Sequence, residues 1–404
     1  MKVAIIGGGA AGFFAAIAAK ENYPYAQVVI YEKTSKLLSK VKVSGGGRCN
    51  VTNGCTSIPK LCEAYPRGGN SLKKPFSVFS TLHAMDWFEK RGVPLIIQDD
   101  GCVFPISQDS QSIIDCFLRE AKRLGVQIIT NRGVKSIQQK TDQLELHFTE
   151  EGIPAETFEK VIVATGGSPK RGGLTWLEAL HHVIENPVPS LFTFQMPEEK
   201  ITQLMGVVTE NVLVGIQGTK FKAGGPLLIT HWGMSGPAIL KLSSFGARTL
   251  SEMDYQFNIQ VNWANELNSE RVMNYLSDIV KNQGQKLITN FRPYGLTERL
   301  WLFMLEKSNL PKSKKWNELG KKGLNKMTNT LTNDVYQVNG KTTFKEEFVT
   351  CGGISLQSID LNTMQSKVVK NLYFAGEIMD IDAITGGFNL QAAWTTGFIA
   401  AKLM

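Results

Sequence analysis

Cysteine is scarce and poorly spaced for scaffolding: Cys49, Cys55, Cys62, Cys102, Cys116 and Cys351 are the 6 in 404 residues, and no two form a Cys-x-x-Cys pair. This excludes a disulfide-built fold, argues against a zinc knuckle, and leaves reduced thiols with no metal site expected. Long apolar runs are missing as well. The longest, Ala10 to Ala19, has about half of the ~20 residues that cross a bilayer. It directly follows Gly7-Gly8-Gly9, which a signal-peptide core would not need, so it reads as a buried helix. With no export signal and no span, a cytoplasmic location without a membrane partner is expected. Repeats and low-complexity tracts are absent, and 43% hydrophobic with 20% charged residues is a globular composition. A chain of 404 residues outgrows a single hydrophobic core, so two or three structural units are expected.

The strongest positive signal lies in the first fifty residues. Lys2 to Ile6 is a short run rich in β-branched residues, followed by Gly7-Gly8-Gly9-Ala10-Ala11-Gly12 and an apolar helical stretch to Glu21. Gln27 to Tyr31 forms a second strand, with Glu32 at its end, about 20 residues beyond Gly12. Strand, tight turn, helix, strand and acidic residue together make a dinucleotide fingerprint in its required context. Gly7 permits the turn, Gly9 lets the backbone approach a pyrophosphate, and Gly12 lets the helix pack where a Cβ would intrude. The helix N-terminus offers free N–H groups and a positive dipole end to the phosphates. Glu32 can accept hydrogen bonds from ribose hydroxyls and would repel a 2′-phosphate, so this site takes FAD or NAD, not NADP.

Three further segments bear on the choice. Ser44-Gly45-Gly46-Gly47-Arg48-Cys49-Asn50-Val51-Thr52-Asn53 is a second glycine cluster, too polar for a core. Val161 to Gly167 is a buried strand ending in small residues, and Leu372 to Glu377 is another strand ending in Gly-acid. The latter leads through Asp380 and Asp382 to Thr385-Gly386-Gly387-Phe388-Asn389-Leu390, which opens a final helix suited to stabilising negative charge on a reduced flavin ring.

At these residues, and at Thr230 to Leu240 and Thr363 to Lys367, the chain resembles the bacterial FAD-binding proteins of the BaiN and aminoacetone-oxidase type, themselves similar to fumarate-reductase-like flavoproteins. The resemblance runs from the first strand to the last helix. It implies one FAD, held by Gly7, Gly9, Ala10, Ala11 and Gly12, with Glu32 on the adenosine ribose, Val134 as the main-chain contact to adenine, and Lys33 among the cofactor-binding residues. Gly376 and Glu377 would lie near the ribityl chain and pyrophosphate, and Asp380 is a further cofactor-binding residue. Ser44, Gly45, Gly46, Gly47, Arg48, Cys49 and Asn50 would surround the isoalloxazine with Gly387, Phe388, Asn389 and Leu390. Ala164, Thr165 and Gly166 join the list, although Ser168-Pro169-Lys170-Arg171 departs from the longer glycine-rich segment of many relatives. No second G-x-G-x-x-G follows a strand, so NAD(P)H is expected only as a transient reductant.

After Pro187-Val188-Pro189 the pattern changes. Short runs (Val212 to Val214, Lys220 to Lys222, Leu227 to Ile229) separated by glycines predict a small antiparallel sheet or barrel, and Glu266 to Thr330 turns helical. The expected fold is α/β: a Rossmann-type FAD-binding domain (1–190 and 341–404) interrupted by a β-barrel-like unit (191–262 and 331–340) that carries a helical insert (263–330). Ser235 reads as a helix N-cap before Pro237.

The predicted activity is hydride transfer between FAD and an unidentified small or sterol-like organic substrate, with NAD(P)H or oxygen as second redox partner. Arg48, Asn50 and His231 are the candidate catalytic residues, His231 because imidazole titrates near neutrality. A dithiol–disulfide reductase, prompted by Cys49 and Cys55, fails because the pair is spaced one residue too widely and the last of the 5 histidines is His231, leaving no C-terminal base. A flavin-binding sensor or RNA-associated flavoprotein without turnover is the alternative. Its support is the net charge of +8, and the lysines between Lys307 and Lys326 alternate with apolar residues as on a solvated helix face, so a nucleic-acid partner is not expected.

Overall fold

The computed structural model of the chain describes residues 1–342 and 349–404. By its internal contacts the chain separates into two compact units, Met1–Ser190 with Phe344–Met404, and Leu191–Thr343.

In the first unit, β1 (Lys2–Ile6) and β2 (Gln27–Tyr31) are joined by α1 (Ala10–Asn22), as the apolar pattern predicts. Both strands read as continuous apolar runs because helices or loops cover both faces of a parallel sheet. The helix α1 is buried from Ala11 to Ala19, with no polar face, so it lies inside the core. Its Phe14 packs on Trp87 and Trp394, with ring centroids 4.7 and 5.6 Å away.

The sheet has seven strands, ordered Ile359–Asp360, Gln365–Ser366, Leu372–Phe374, Lys160–Val163, β1, β2 and Gln127–Ile129. The last five of these run parallel, with Ile6 opposite both Tyr31 and Val163. The loops leaving β1, Lys160–Val163 and Leu372–Phe374 therefore all emerge at one end of adjacent strands, where open parallel sheets bind ligands. The last helix, Phe388–Ala400, returns into the same core.

The second unit is built on a seven-stranded sheet, ordered Asp334–Asn339, Gln256–Asn262, Val208–Ile216, Lys222–Thr230, Gly233–Ser235, Thr193–Gln195 and Lys341–Thr342, with every pair antiparallel. The helix Pro237–Glu252 follows the short central strand. Three more, Ser269–Gln283, Glu298–Lys307 and Gly320–Thr332, form an insert between the strands Gln256–Asn262 and Asp334–Asn339. Trp263, Trp301 and Trp316 are buried in this unit's own core.

Three local details differ from the sequence pattern. Lys220 and Phe221 belong to the hairpin turn, and the strand starts at Lys222. Lys341 and Thr342 pair with Phe194 and Thr193, so the second sheet extends past residue 340. Ser235 is a strand residue facing Leu228, and Gly236 is the residue before Pro237 at the helix start, since its φ of 92° suits glycine. Among the described residues no helix is long and apolar enough to cross a membrane, and no His/Cys/Asp/Glu group could hold a metal ion.

Candidate functional site

The turn after β1 is fixed by backbone geometry. The Gly7 N–H donates to the Tyr31 carbonyl at 2.8 Å and the Ala164 N–H donates to the Ile6 carbonyl at 2.8 Å, so the neighbouring strands pin both sides of the turn. A Cβ on Gly12 would sit 1.9 Å from the Gly7 carbonyl oxygen, which excludes every other residue there. At Gly9 a Cβ would meet nothing within 4 Å, and the same holds at Gly46, Gly47 and Gly166. These positions border open space. Gly9 caps α1 with no side-chain acceptor, so the first N–H groups of that helix, from Ala10 and Ala11 on, are left for an anion.

Glu32 stands at the end of β2 with its carboxylate engaged by protein. One oxygen accepts from the Gly8 N–H at 2.9 Å, and the other accepts from the Thr34 N–H and hydroxyl, each at 2.9 Å. The glycine turn and the end of β2 are thereby tied together. The neighbouring loop runs alongside: the Arg132 N–H donates to the Glu32 carbonyl at 2.8 Å and the Asn131 N–H to that of Thr34 at 3.1 Å. Val134 opens the strand Val134–Gln139 just beyond, and Lys33 is exposed beside it.

The second glycine cluster and the start of the last helix meet. A Cβ on Gly387 would lie 2.2 Å from the Thr52 carbonyl oxygen and 2.8 Å from Asn50 Oδ1. Gly387 adopts φ 84°, a left-handed conformation that glycine reaches without strain, and the helix begins at Phe388. Asn53 Nδ2 donates to the Gly386 carbonyl at 3.0 Å, Gln391 accepts from the Thr52 hydroxyl at 2.5 Å, and Trp394 Nε1 donates to the Val51 carbonyl at 2.8 Å. Asn389 closes the preceding loop by bonding both the N–H and the carbonyl of Ala383, at 2.9 and 3.0 Å, and Tyr65 donates its hydroxyl to the Phe388 carbonyl at 2.7 Å. Leu390 is half-buried in the first turn.

Within the cluster, the Arg48 guanidinium lies over the Phe104 ring at 4.1 Å, and its Nε donates to the Gly45 carbonyl at 3.2 Å. Asn50 Oδ1 accepts from the Val103 N–H at 3.2 Å. Cys49 is fully buried, its N–H donates to the Ser44 carbonyl at 2.9 Å, and burial pushes its thiol up to about 12. A neutral thiol of this kind is no nucleophile at physiological pH.

The loop after Leu372–Phe374 holds the remaining expected residues. The Gly376 N–H donates to the Thr396 hydroxyl at 2.8 Å, and a Cβ on Gly376 would meet the Ala11 side chain at 2.8 Å, so this loop lies against the start of α1. Glu377 accepts from the Thr350 N–H at 3.0 Å and pairs with Lys40 at 2.6 Å. Asp380 turns its carboxylate to the Gly352 N–H, at 2.8 Å. Asp382 is fully buried and bonded by Arg67 and by the Ser190 hydroxyl; burial raises its pKa although both partners pull it down.

Gly7 to Gly12, Ala164, Gly376 and Glu377 thus adjoin one another, and Ser44 to Asn50 adjoin Gly387 to Asn389, all within the first unit. Thr165 is exposed beside Gly166. His231 belongs to the second unit, in the turn between Lys222–Thr230 and Gly233–Ser235, exposed and edge-on to Trp232 at 4.5 Å. Lys40, Arg67, Thr350 and Gln391 were not singled out from the sequence. Each is distant in the chain from its partner, and none carries a local motif.

The model of the family described as HI0933-like protein Rossmann domain matches residues 1–403. The chain is 26% identical to the 3-dehydro-bile acid delta(4,6)-reductase of Clostridium scindens, over 99% of this chain and 98% of that protein. It is 27% identical to the ribosomal RNA dihydrouridine synthase of Escherichia coli, over 98% of this chain and 96% of that protein. Among solved structures, the 3-ketosteroid delta1-dehydrogenase of Sterolibacterium denitrificans covers 99% of this chain and 98% of its own with a TM-score of 0.54 at 10% identity, a likeness of fold. With the fingerprint turn, the parallel sheet and the family match in agreement, the chain belongs to the HI0933-like Rossmann family, its cofactor is FAD, and it is an FAD-dependent oxidoreductase.

Proposed function

We propose that this enzyme reduces a carbon–carbon double bond conjugated to a ring carbonyl, with NAD(P)H as the transient source of the hydride. The names of the two curated relatives meet in this one chemistry. A delta(4,6)-reductase of a 3-dehydro-bile acid and a dihydrouridine synthase both saturate a ring C=C in conjugation with a carbonyl. FAD, when bound, accepts a hydride and passes it on. The substrate gains that hydride at the carbon β to its carbonyl and a proton at the α carbon.

The chain's own residues divide the remaining work. In this reading Gly7, Gly9 and Gly12 with the N-terminus of α1 hold the pyrophosphate, Glu32 the adenosine ribose, and the Val134 main chain the adenine. Gly376 and Glu377 lie along the ribityl chain. Ser44 to Asn50 and Gly387 to Leu390 border the ring, where the N–H groups opening the last helix favour negative charge. In the same reading Arg48, stacked on Phe104 with donors to spare, and Asn50 orient a substrate carbonyl. The second unit is read as an inserted, barrel-like sheet that carries the helical segment, and the division after Ser190 supports treating it as a separate domain.

The observation that carries the proposal is the meeting of Asn50 with Gly387, which joins a helix start to a polar glycine cluster that borders open space at Gly46 and Gly47. Anaerobic reduction with NADH or NADPH, followed by mixing with a conjugated steroid ketone or a uridine oligonucleotide, tests it. Rapid reoxidation with one saturated product is expected. Reoxidation by oxygen alone, with both substrates untouched, would defeat it.

A further inference from the structure

We propose that the basic end of the helical insert is a docking surface for RNA, against the sequence expectation of a solvated helix face, since Lys312, Lys314 and Lys315 lie before the helix Gly320–Thr332 and not on it. Charge is spread unevenly over the chain. The stretch Ser269–Thr332 holds 12 Lys and Arg against 5 Asp and Glu, a surplus of 12 − 5 = 7 within a net charge of +8 for the whole sequence. The remainder is close to neutral, so the excess is not a general solubility device.

The fold concentrates it further. Two segments far apart in sequence run side by side: Leu287 bridges Lys315, the Ile288 N–H donates to the Lys314 carbonyl at 2.9 Å, and the Trp316 N–H donates to the Lys286 carbonyl at 3.1 Å. This pairing puts Lys286 opposite Trp316, Leu287 opposite Lys315 and Ile288 opposite Lys314, so Lys286 and the Lys314–Lys315 pair lie on adjoining segments within two steps of register. The next helix opens at Gly320 with Lys321 and Lys322 in its first turn. The platform is anchored, because Trp316 is fully buried and stacks on Trp301 at 6.3 Å, and Trp301 Nε1 donates to the Ile288 carbonyl at 2.7 Å.

Carboxylates do not balance these charges. Among the described residues, Lys286, Lys321 and Lys322 have none within ion-pair distance. The Lys314 ammonium reaches the Glu318 carbonyl at 3.5 Å and that of Lys315 reaches Gln285 Oε1 at 3.4 Å, while the Glu318 carboxylate accepts from the Lys315 N–H at 2.8 Å. Lys312 meets Glu306 at 4.0 Å. Lys321 and Lys322 also stand at the positive end of their helix with no acidic residue in its first turn, where a cation is unfavourable. A phosphate backbone relieves both conflicts and gains from counterion release. A lipid surface suits the segment less, since Tyr275 and Leu287 are its only large apolar side chains counted as exposed.

The inference rests on the proposed double-bond reduction only in making the docked RNA the carrier of the substrate ring, a uracil; docking itself is measured without turnover. FAD-loaded protein is titrated into a labelled uridine oligonucleotide at several salt concentrations, followed by fluorescence anisotropy. Changing Lys286, Lys315, Lys321 and Lys322 together to Glu should weaken binding at least about tenfold and flatten the salt dependence by roughly one unit of slope per lysine lost. Lys60→Glu with Lys74→Glu, far away in sequence, should change neither. If the fourfold Glu variant loses its flavin or its cooperative melt, the fourfold Gln variant carries the test, with a smaller loss expected. Unchanged oligonucleotide binding in a folded variant overturns the proposal, as does tighter binding to phosphatidylglycerol vesicles than to RNA. Docking through these lysines by an enzyme that reduces neither test substrate would support the surface and refute the proposed reaction.

Discussion

At the scale of single residues, the sequence pattern reveals where Glu32 stands and not what its carboxylate touches within the protein. Its position after β2 is legible from spacing. That its oxygens also take the Gly8 and Thr34 N–H groups is not, because the glycine turn reaches it only through the parallel pairing of β1 and β2. Glu32→Ala should therefore weaken FAD binding by about 1.5 to 3 kcal/mol, as for a hydrogen bond to a charged group, without unfolding the chain. Glu32→Gln should cost less; flavin-fluorescence titration of both variants measures it, and unchanged affinity in both would remove Glu32 from the ribose site. Cys49 gives a second check. Burial raises its thiol pKa to about 12, so the neutral form persists across the physiological range. Cys49→Ser should retain substantial flavin reduction and reoxidation, and alkylation of the folded parent at this buried thiol should stay slow across the physiological pH range. A thiolate–flavin charge-transfer band near neutral pH would contradict both expectations.

Among the elements, β1, α1, β2 and the strand Lys160–Val163 are readable as continuous apolar runs set off by glycines and polar residues, and the helices of the insert by their helical period. What local pattern could not supply is how the loops are held in place. The loop between Leu372–Phe374 and the last helix is fixed by Arg67, hundreds of residues earlier, whose guanidinium meets the fully buried Asp382 together with the Ser190 hydroxyl. Removing one partner of a buried pair leaves an uncompensated charge, so Arg67→Leu should destabilise the protein by about 3 to 5 kcal/mol near neutral pH. The pH dependence has a definite sign. Burial already raises the Asp382 carboxyl, and losing Arg67 raises it further, so the folded variant binds a proton more readily than its unfolded chain. Its deficit should shrink as the pH falls through that raised value, and denaturant unfolding at neutral and mildly acidic pH reads the difference. A deficit independent of pH would mean that packing, not the stranded carboxylate, dominates.

For the whole molecule, one dinucleotide fingerprint predicts one FAD per chain and no tightly held nicotinamide, which extraction and chromatography of the purified protein would count. The two compact units have separate hydrophobic cores and carry different charge, the surplus lying in the insert of the second. Their ligands should then leave separate footprints. A ligand that binds the native state suppresses local opening of the segments it touches, and this appears as slower amide exchange there. Adding FAD to flavin-free protein should slow exchange in Gly7 to Gly12, Ser44 to Asn50 and Gly376 to Leu390, which form the glycine turns and the start of the last helix. It should leave Lys286 and the stretch Lys312 to Lys326 unchanged. A uridine oligonucleotide added to the FAD-loaded protein should slow exchange at those lysine-bearing segments. If FAD protects the insert and the glycine turns alike, the cofactor is not confined to the first unit, and the residue assignments built on Gly7 to Gly12 and Gly387 must be redrawn.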